Sequence, residues 1–297
     1  MSMNEKPGRG VRPVARTSQR YLVDRACGRD FRPTLSEERC FVQVNKIVVW
    51  EAFDAADPMT RAAGRLYEQT LAADERIPWY WIEKSVESRT KTKPGKADGW
   101  TKHLLLAAPE DRADDPAGLA GYVYGALIPN FGGYLCYIGV ADWARRLGVG
   151  TRLFDQFYRQ MSVDSGEHGA PLPFVIWESH RPAPSAPAAE WDIWAARTKL
   201  FDRAGGLWVE GVDFWSPNFA SDDETGDPVP LQLFIKPMNE SVAAFDADRL
   251  KQVVAGLHSE VYRNEPGSEL FERTLPEGCQ PRLQPAKLAG LAHKSGK

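Results

Sequence analysis

The sequence predicts one α/β or α+β domain built around a mixed sheet, and three observations carry that prediction. Strand and helix patterns interleave along the chain, a tight turn joins two of the strands, and the apolar period switches from two to 3.6 residues after Val140. The order reads β, α with an irregular aromatic segment after it, β, β, β, α, β, α, β, β, α.

The first strand pattern spans about Phe41–Phe53, where β-branched residues gather. Pro58–Leu71 then carries apolar residues at helical spacing (Met59, Ala62, Ala63, Leu66, Tyr67, Leu71), opened by Asp57 as an N-cap with Pro58 in the first turn. Strands follow at His103–Ala108, Ala120–Pro129 and Gly133–Val140. Asn130-Phe131-Gly132-Gly133 tolerates positive φ between the last two, which predicts an antiparallel hairpin. A helix from Gly148 to Ser165 presents Val149, Leu153, Phe154, Phe157 and Met161 on one face. Pro173–Ser179 reads as a short buried strand and Glu190–Ala204 as a helix stopped by Gly205-Gly206. Leu207–Trp215 and Pro230–Ile235 are the last strands, before an amphipathic helix over Asp246–Arg263. Residues 1–38 and 276–297 mix Pro, Gly and basic residues without apolar periodicity and read as flexible basic tails. The domain proper is then 39–240, with a helical extension over 241–275.

Composition narrows the function classes. A chain of 297 residues that is 43% hydrophobic, with 10 Trp, has the material for a real core. Its formal net charge of −3 gives no footprint for nucleic acid or an anionic membrane, and neither is an expected partner. The four cysteines (Cys27, Cys40, Cys136, Cys279) have neither zinc spacing nor disulfide density, so no metal is expected. No apolar run reaches the roughly 18 residues of a membrane helix, and the expected compartment is the cytoplasm.

The chemistry concentrates in Arg145-Arg146-Leu147-Gly148-Val149-Gly150. A strand leading through a glycine-bearing turn into a helix points free N–H groups and the helix dipole at an anion. Arg145 and Arg146 add charge-assisted donors at the same mouth. Gly-x-Gly alone also suits an ordinary helix entry. A dinucleotide fingerprint would need Gly or Ala where Leu153 stands, and there is no Gly-Lys-Ser/Thr for a Walker A loop. What remains, the apolar strand Tyr137-Ile138-Gly139-Val140 and then Arg-x-x-Gly-x-Gly opening an amphipathic helix, resembles the signature segment of the GCN5-related N-acetyltransferases (GNAT).

That resemblance implies a mostly antiparallel mixed sheet flanked by helices, with acetyl-CoA or a related acyl-CoA as cosubstrate and an amine-bearing acceptor. It implies coenzyme contacts at Ile138, Gly139 and Val140, where backbone N–H groups would hold the thioester oxygen, and at Arg145, Arg146, Leu147, Gly148, Val149, Gly150 and Thr151. Leu200-Phe201-Asp202-Arg203-Ala204-Gly205-Gly206 resembles a further family segment, with Phe201 where the family often has a tyrosine that protonates the leaving thiolate. Phenylalanine has no proton to give. The alternative to an N-acetyltransferase is therefore a non-catalytic acyl-CoA-binding or regulatory module on the same fold.

An amine acceptor with a pKa near ~10.4 needs a base. Glu178, interrupting the run Phe174–Trp177, is the first candidate, since burial beside Trp177 would raise its pKa. The plainer alternative is a solvated strand end or a pair with Arg181. Tyr134 and Tyr137 are candidate acids, placed by alternation on opposite faces of their strand. Ile77-Pro78-Trp79-Tyr80-Trp81-Ile82 would either shape an acceptor pocket or form a packed lid, and Trp191 and Trp194 share one helix face. Edge strands and the Asp246–Arg263 helix offer surfaces for a homodimer.

Overall fold

A computed structural model of the chain describes residues 46–91, 99–219 and 227–291. The expected N-terminal tail, Cys27, Cys40, the start of the first strand pattern and the last six residues lie outside these. In chain order the elements are β1 (Ile47–Glu51), α1 (Pro58–Thr70), α2 (Trp79–Lys91), β2 (Thr101–Pro109), β3 (Gly121–Ile128), β4 (Gly132–Val140) and α3 (Val149–Glu167). They continue as β5 (Phe174–His180), α4 (Ala188–Arg203), β6 (Leu207–Glu210), β7 (Phe214–Ser216), β8 (Val229–Pro237), α5 (Ala247–Leu257), α6 (Glu269–Thr274) and β9 (Arg282–Pro285). Their strands form one mixed, mostly antiparallel sheet in the order β1-β2-β3-β4-β5-β8-β6-β9, with β7 also on β8. No helix among the described residues is long and apolar enough to cross a membrane.

Local signals set several of these elements. The Asp57 carboxylate accepts the Met59 N–H at 2.7 Å, capping α1 as its sequence predicts, and Met59, Ala62, Ala63, Leu66 and Tyr67 turn inward. The β3–β4 hairpin closes over Pro129–Phe131 with Asn130 at φ 64°.

Tertiary contacts overrule sequence pattern at four places. Residues Ile77–Ile82, expected to be irregular, run into α2: the Trp79 ring packs 5.4 Å from that of Tyr67 and over Gly64, and Ile82 is buried. Leu207–Trp215 is broken into β6 and β7 at Gly211, whose φ of 87° no strand interior accommodates. Asp246–Arg263 is α-helical only to Leu257 and ends in a π-turn over His258–Tyr262. The expected C-terminal tail from Pro276 is instead built into the fold up to Leu291. Its β9 pairs with β6, and the Trp194 indole donates to the Ala289 carbonyl. Four residues are too few to show a strand period, yet β6 offers them an open edge.

The sheet faces divide the helices. Gly125 of β3 lies against Phe157 of α3, and Trp177 of β5 meets Phe154 of α3 and Phe201 of α4, so α3 and α4 cover one face. On the other, Tyr122 hydrogen-bonds Thr70 of α1, while Phe174 packs on Phe245 just before α5. The sheet is not continuous between its halves. β4 and β5 are parallel neighbours only at Gly133/Val175 and Tyr134/Ile176, and beyond that they diverge.

Candidate functional site

Divergence of β4 from β5 opens a cleft of about 2000 Å³, lined on one side by β4 and the turn after it and on the other by β5 and α4. Its origin is a bulge. The β3–β4 register shifts between Tyr124/Tyr137 and Gly125/Leu135, leaving Cys136 as an extra residue that bends β4 away. Alternation is broken there too. Tyr137 lies across from Tyr124 and Tyr134 across from Ala126, positions that share a face, so both tyrosines face the cleft side, contrary to the alternation expected from sequence.

Past the bulge, the outer edge of β4 has no strand neighbour among the described residues. Ala141 N–H donates to the Ala120 carbonyl at 2.9 Å, so alternation turns the backbone groups of Gly139 toward β3 and those of Ile138 and Val140 toward the cleft. Of the three predicted positions, Ile138 and Val140 turn their N–H groups to the cleft, and Gly139 is packed against the Tyr122 ring. A Cβ there would lie 2.4 Å from the Tyr122 ring.

After β4 the chain makes a short 3₁₀ turn and enters α3. Arg146 at φ 73° and Gly148 at φ 77° are both left-handed, and α3 begins with no side-chain cap. Its first hydrogen bond runs from Arg152 N–H to the Gly148 carbonyl at 3.1 Å, which leaves the Val149, Gly150 and Thr151 N–H groups ahead of the helical ladder. These residues border the cleft together with Arg145 and Arg146. Arg145 also pairs with Asp142 at 2.8 Å, both exposed. The two glycines have different reasons. Gly148 supplies the left-handed turn with open space around it, whereas a Cβ at Gly150 would lie 2.9 Å from Leu200 of α4. Leu147 is half exposed at the turn, and Leu153 is fully buried.

At the inner end of the cleft stands Glu178. The Tyr134 hydroxyl, from β4, and the Tyr262 hydroxyl, from the π-turn, both donate to its Oε1. Its Oε2 is shielded from solvent and has no hydrogen-bond partner among the described residues. Burial raises the carboxyl pKa to about 7, against the two hydroxyl donors and its own backbone N–H, which favour the charged form. Burial likewise pushes Tyr134, Tyr262 and the Cys136 thiol up, with the Glu178 charge adding to it. The pairing with Arg181 that sequence allowed is not formed. Tyr137 is engaged elsewhere: it accepts the Ile77 N–H at 3.1 Å and meets the Tyr67 ring edge-on.

His180, two residues beyond Glu178, faces Glu75 across the cleft with Nδ1 3.6 Å from its Oε1. Burial raises the Glu75 pKa, against the pull of His180 and Arg197. The aromatic segment splits its duties. Trp79 and Ile82 are core, while Trp81, half exposed, lines the cleft with Trp100, Tyr124 and Phe219. Trp191 and Trp194 are buried, and so is Phe201, 4.8 Å from Phe234. Among the described residues no three His, Cys, Asp or Glu side chains converge as metal ligands would.

Sequence reasoning missed Tyr262. It lies 84 residues from Glu178, and no local pattern marks a π-turn.

No protein-family model and no curated protein matches the chain. Among solved structures, it is similar to a protein of Bacteroides thetaiotaomicron assigned to the GNAT family of acetyltransferases, at 14% identity and TM-score 0.48 over 74% of this chain and 99% of that one. It is similar to the ribosomal-protein-S18-alanine N-acetyltransferase of Escherichia coli at 13% identity and TM-score 0.38, over 66% and 96% of the two chains. A third is a Bacillus anthracis protein assigned as a streptothricin acetyltransferase and solved with acetyl coenzyme A, at 17% identity and TM-score 0.32 over 49% and 65%.

Proposed function

We propose that this protein transfers an acyl group, acetyl by default, from its coenzyme A thioester to an amine. The observation that carries the reading is Glu178: a carboxylate with one shielded, unpartnered oxygen at the inner end of a cleft whose outer end is an anion-binding helix entry. The pyrophosphate would lie on the Val149, Gly150 and Thr151 N–H groups beside Arg145 and Arg146. The pantetheine would run along the open edge of β4 as an added strand, bonding the outward groups of Ile138 and Val140.

With a pKa of about 7, Glu178 has a substantial ionised fraction at neutral pH. Its carboxylate takes one proton from the ammonium group, breaking an N–H bond and forming an O–H bond. The freed lone pair makes the C–N bond at the thioester carbonyl, whose oxygen gathers charge opposite the β4 N–H groups. Collapse breaks the C–S bond, and the thiolate takes the second proton leaving the nitrogen, so Phe201 need donate nothing. One proton per turnover passes from Glu178 to solvent. Trp81, Trp100, Tyr124 and Phe219 suit an acceptor with an apolar or flat body beside its amine.

Two measurements test this. Acetyl-CoA at a hundredfold excess over Kd should stabilise the protein by ~2.7 kcal/mol and raise its melting temperature, and Gly148→Glu should abolish the rise. No shift at millimolar coenzyme, or the same shift in the variant, rejects coenzyme binding. Thiol release from acetyl-CoA across an amine panel then separates an enzyme from a binding module, the second reading that the buried Phe201 favours.

A further inference from the structure

The chain beyond β8 does more than extend the fold. α5 (Ala247–Leu257) gives way to a π-turn over His258–Tyr262, and Arg263 at φ 56° ends it. Such turns interrupt regular helices at a cost and are frequent at functional sites. Here the turn is held by a buried His258 whose ring packs 4.6 Å from Phe214 and 5.5 Å from Phe271, and by Asn264, which donates its N–H to the His258 carbonyl. Its last residue, Tyr262, lies with its ring 5.4 Å from Phe214 and 6.4 Å from Phe219, and its hydroxyl reaches Glu178 Oε1.

We propose that Tyr262 is a positioning residue for Glu178: with Tyr134 it clamps Oε1, fixes the carboxylate and tunes its basicity, leaving Oε2 as the unpartnered oxygen. The C-terminal extension is thereby a working part of the active site. Two hydroxyl donors on one oxygen fix the plane of the carboxylate and leave Oε2, shielded from solvent, as its one oxygen without a hydrogen-bond partner among the described residues. The 3.4 Å separation of the two hydroxyls is what a shared acceptor between them requires. Other titratable groups near Glu178 are Cys136 and Tyr137 on β4 and His180 on β5, the last turned to Glu75; on β8 the residue opposite is Leu233. None of these hydrogen-bonds Glu178 among the described residues. Tyr134 is anchored in β4 where the strands still pair, so its donor belongs to the sheet. Only the Tyr262 donor depends on the extension.

The inference rests on Glu178 being the base, and its test separates the two ideas. Tyr262→Phe keeps the ring and removes the donor that favours the charged carboxylate. The ascending limb of kcat/KM for amine-dependent thiol release, expected near pH 7 in the native protein, should move up by about one to two pH units, with KM for acetyl-CoA unchanged. 3-Fluorotyrosine at position 262 is a stronger donor and should move the limb down. A uniform loss of rate with the limb in place would reduce Tyr262 to a structural role and overturn the proposal, as would no effect at all. Independently of any turnover, the melting temperatures of native, Glu178→Gln, Tyr262→Phe and the double variant from pH 5 to 9 read the coupling directly. Additivity across that range overturns the clamp. If the native protein releases no thiol with any amine while the four variants prove coupled, the acyltransfer reading fails and the clamp stands.

Discussion

The two ends of the cleft are built in opposite ways. The end proposed to bind the coenzyme's phosphates is contiguous: one strand end, one left-handed turn and one helix start, all within Ile138–Thr151. The carboxylate end is assembled from three distant pieces, Tyr134 on β4, Glu178 on β5 and Tyr262 after α5. A contiguous site needs backbone conformation above all, so glycine and φ decide it. An assembled site needs the whole sheet and the extension in place. Its energetics follow from burying polar groups rather than from turn geometry.

The difference can be sharpened by experiment. The largest expected effect is at the assembled end: Glu178→Gln should lower amine-dependent thiol release by roughly 10²–10⁴ while leaving the acetyl-CoA melting shift intact. Loss of the melting shift as well would mean the two ends are not separable. The same substitution has a stability signature. The native carboxyl pKa is raised from 4.5 to about 7, so the stability it carries is full below pH 4.5 and lost as the pH climbs toward 7. Glu178→Gln should therefore gain on the native protein across that window, by about 1–3 kcal/mol, and differ by a constant amount above it.

His258 supplies the next effect, with the opposite sign. Its ring is fully buried and burial lowers its pKa from 6.5 to about 4. The neutral ring stabilises the fold above pH 6.5, and that contribution is lost as the pH falls toward 4, by about 2–3 kcal/mol. Urea midpoints between pH 7 and 4 should show the native protein losing ground to His258→Phe on the acid side, since the variant has no ring to protonate among Phe214, Tyr262 and Phe271. A parallel pH dependence in both would mean that burial does not lower the His258 pKa in the folded protein. The smallest effect belongs to the contiguous end. Gly148→Ala, in open space at φ 77°, should cost only about 1 kcal/mol of stability. Gly150→Ala should act instead through the 2.9 Å approach to Leu200, and a Leu200→Ala partner should relieve it, measurable as non-additive melting shifts.

Legibility followed the same division. Asp57 before Pro58, Asn130 before two glycines, and the switch of period after Val140 are local signals, and the structure has the cap, the hairpin and the helix they predict. Tyr134 and Tyr137 were not resolvable by alternation, because Cys136 bulges out of the ladder and a single extra residue moves everything after it to the other face. Trp79 and Trp81 read alike in sequence, and only packing sends one onto Tyr67 and the other to the cleft.

By itself the sequence determined the element order around the turn, the absence of a dinucleotide fingerprint at Leu153, and the placing of Glu178 beside Trp177 at the end of an apolar strand, because these rest on residues within a few positions of one another. Only the tertiary structure decided how far β4 and β5 part, which oxygen of Glu178 is free, and that Tyr262 reaches it. Those depend on the bulge, the sheet order and the π-turn bringing together residues up to 128 positions apart, a distance over which no local pattern carries information.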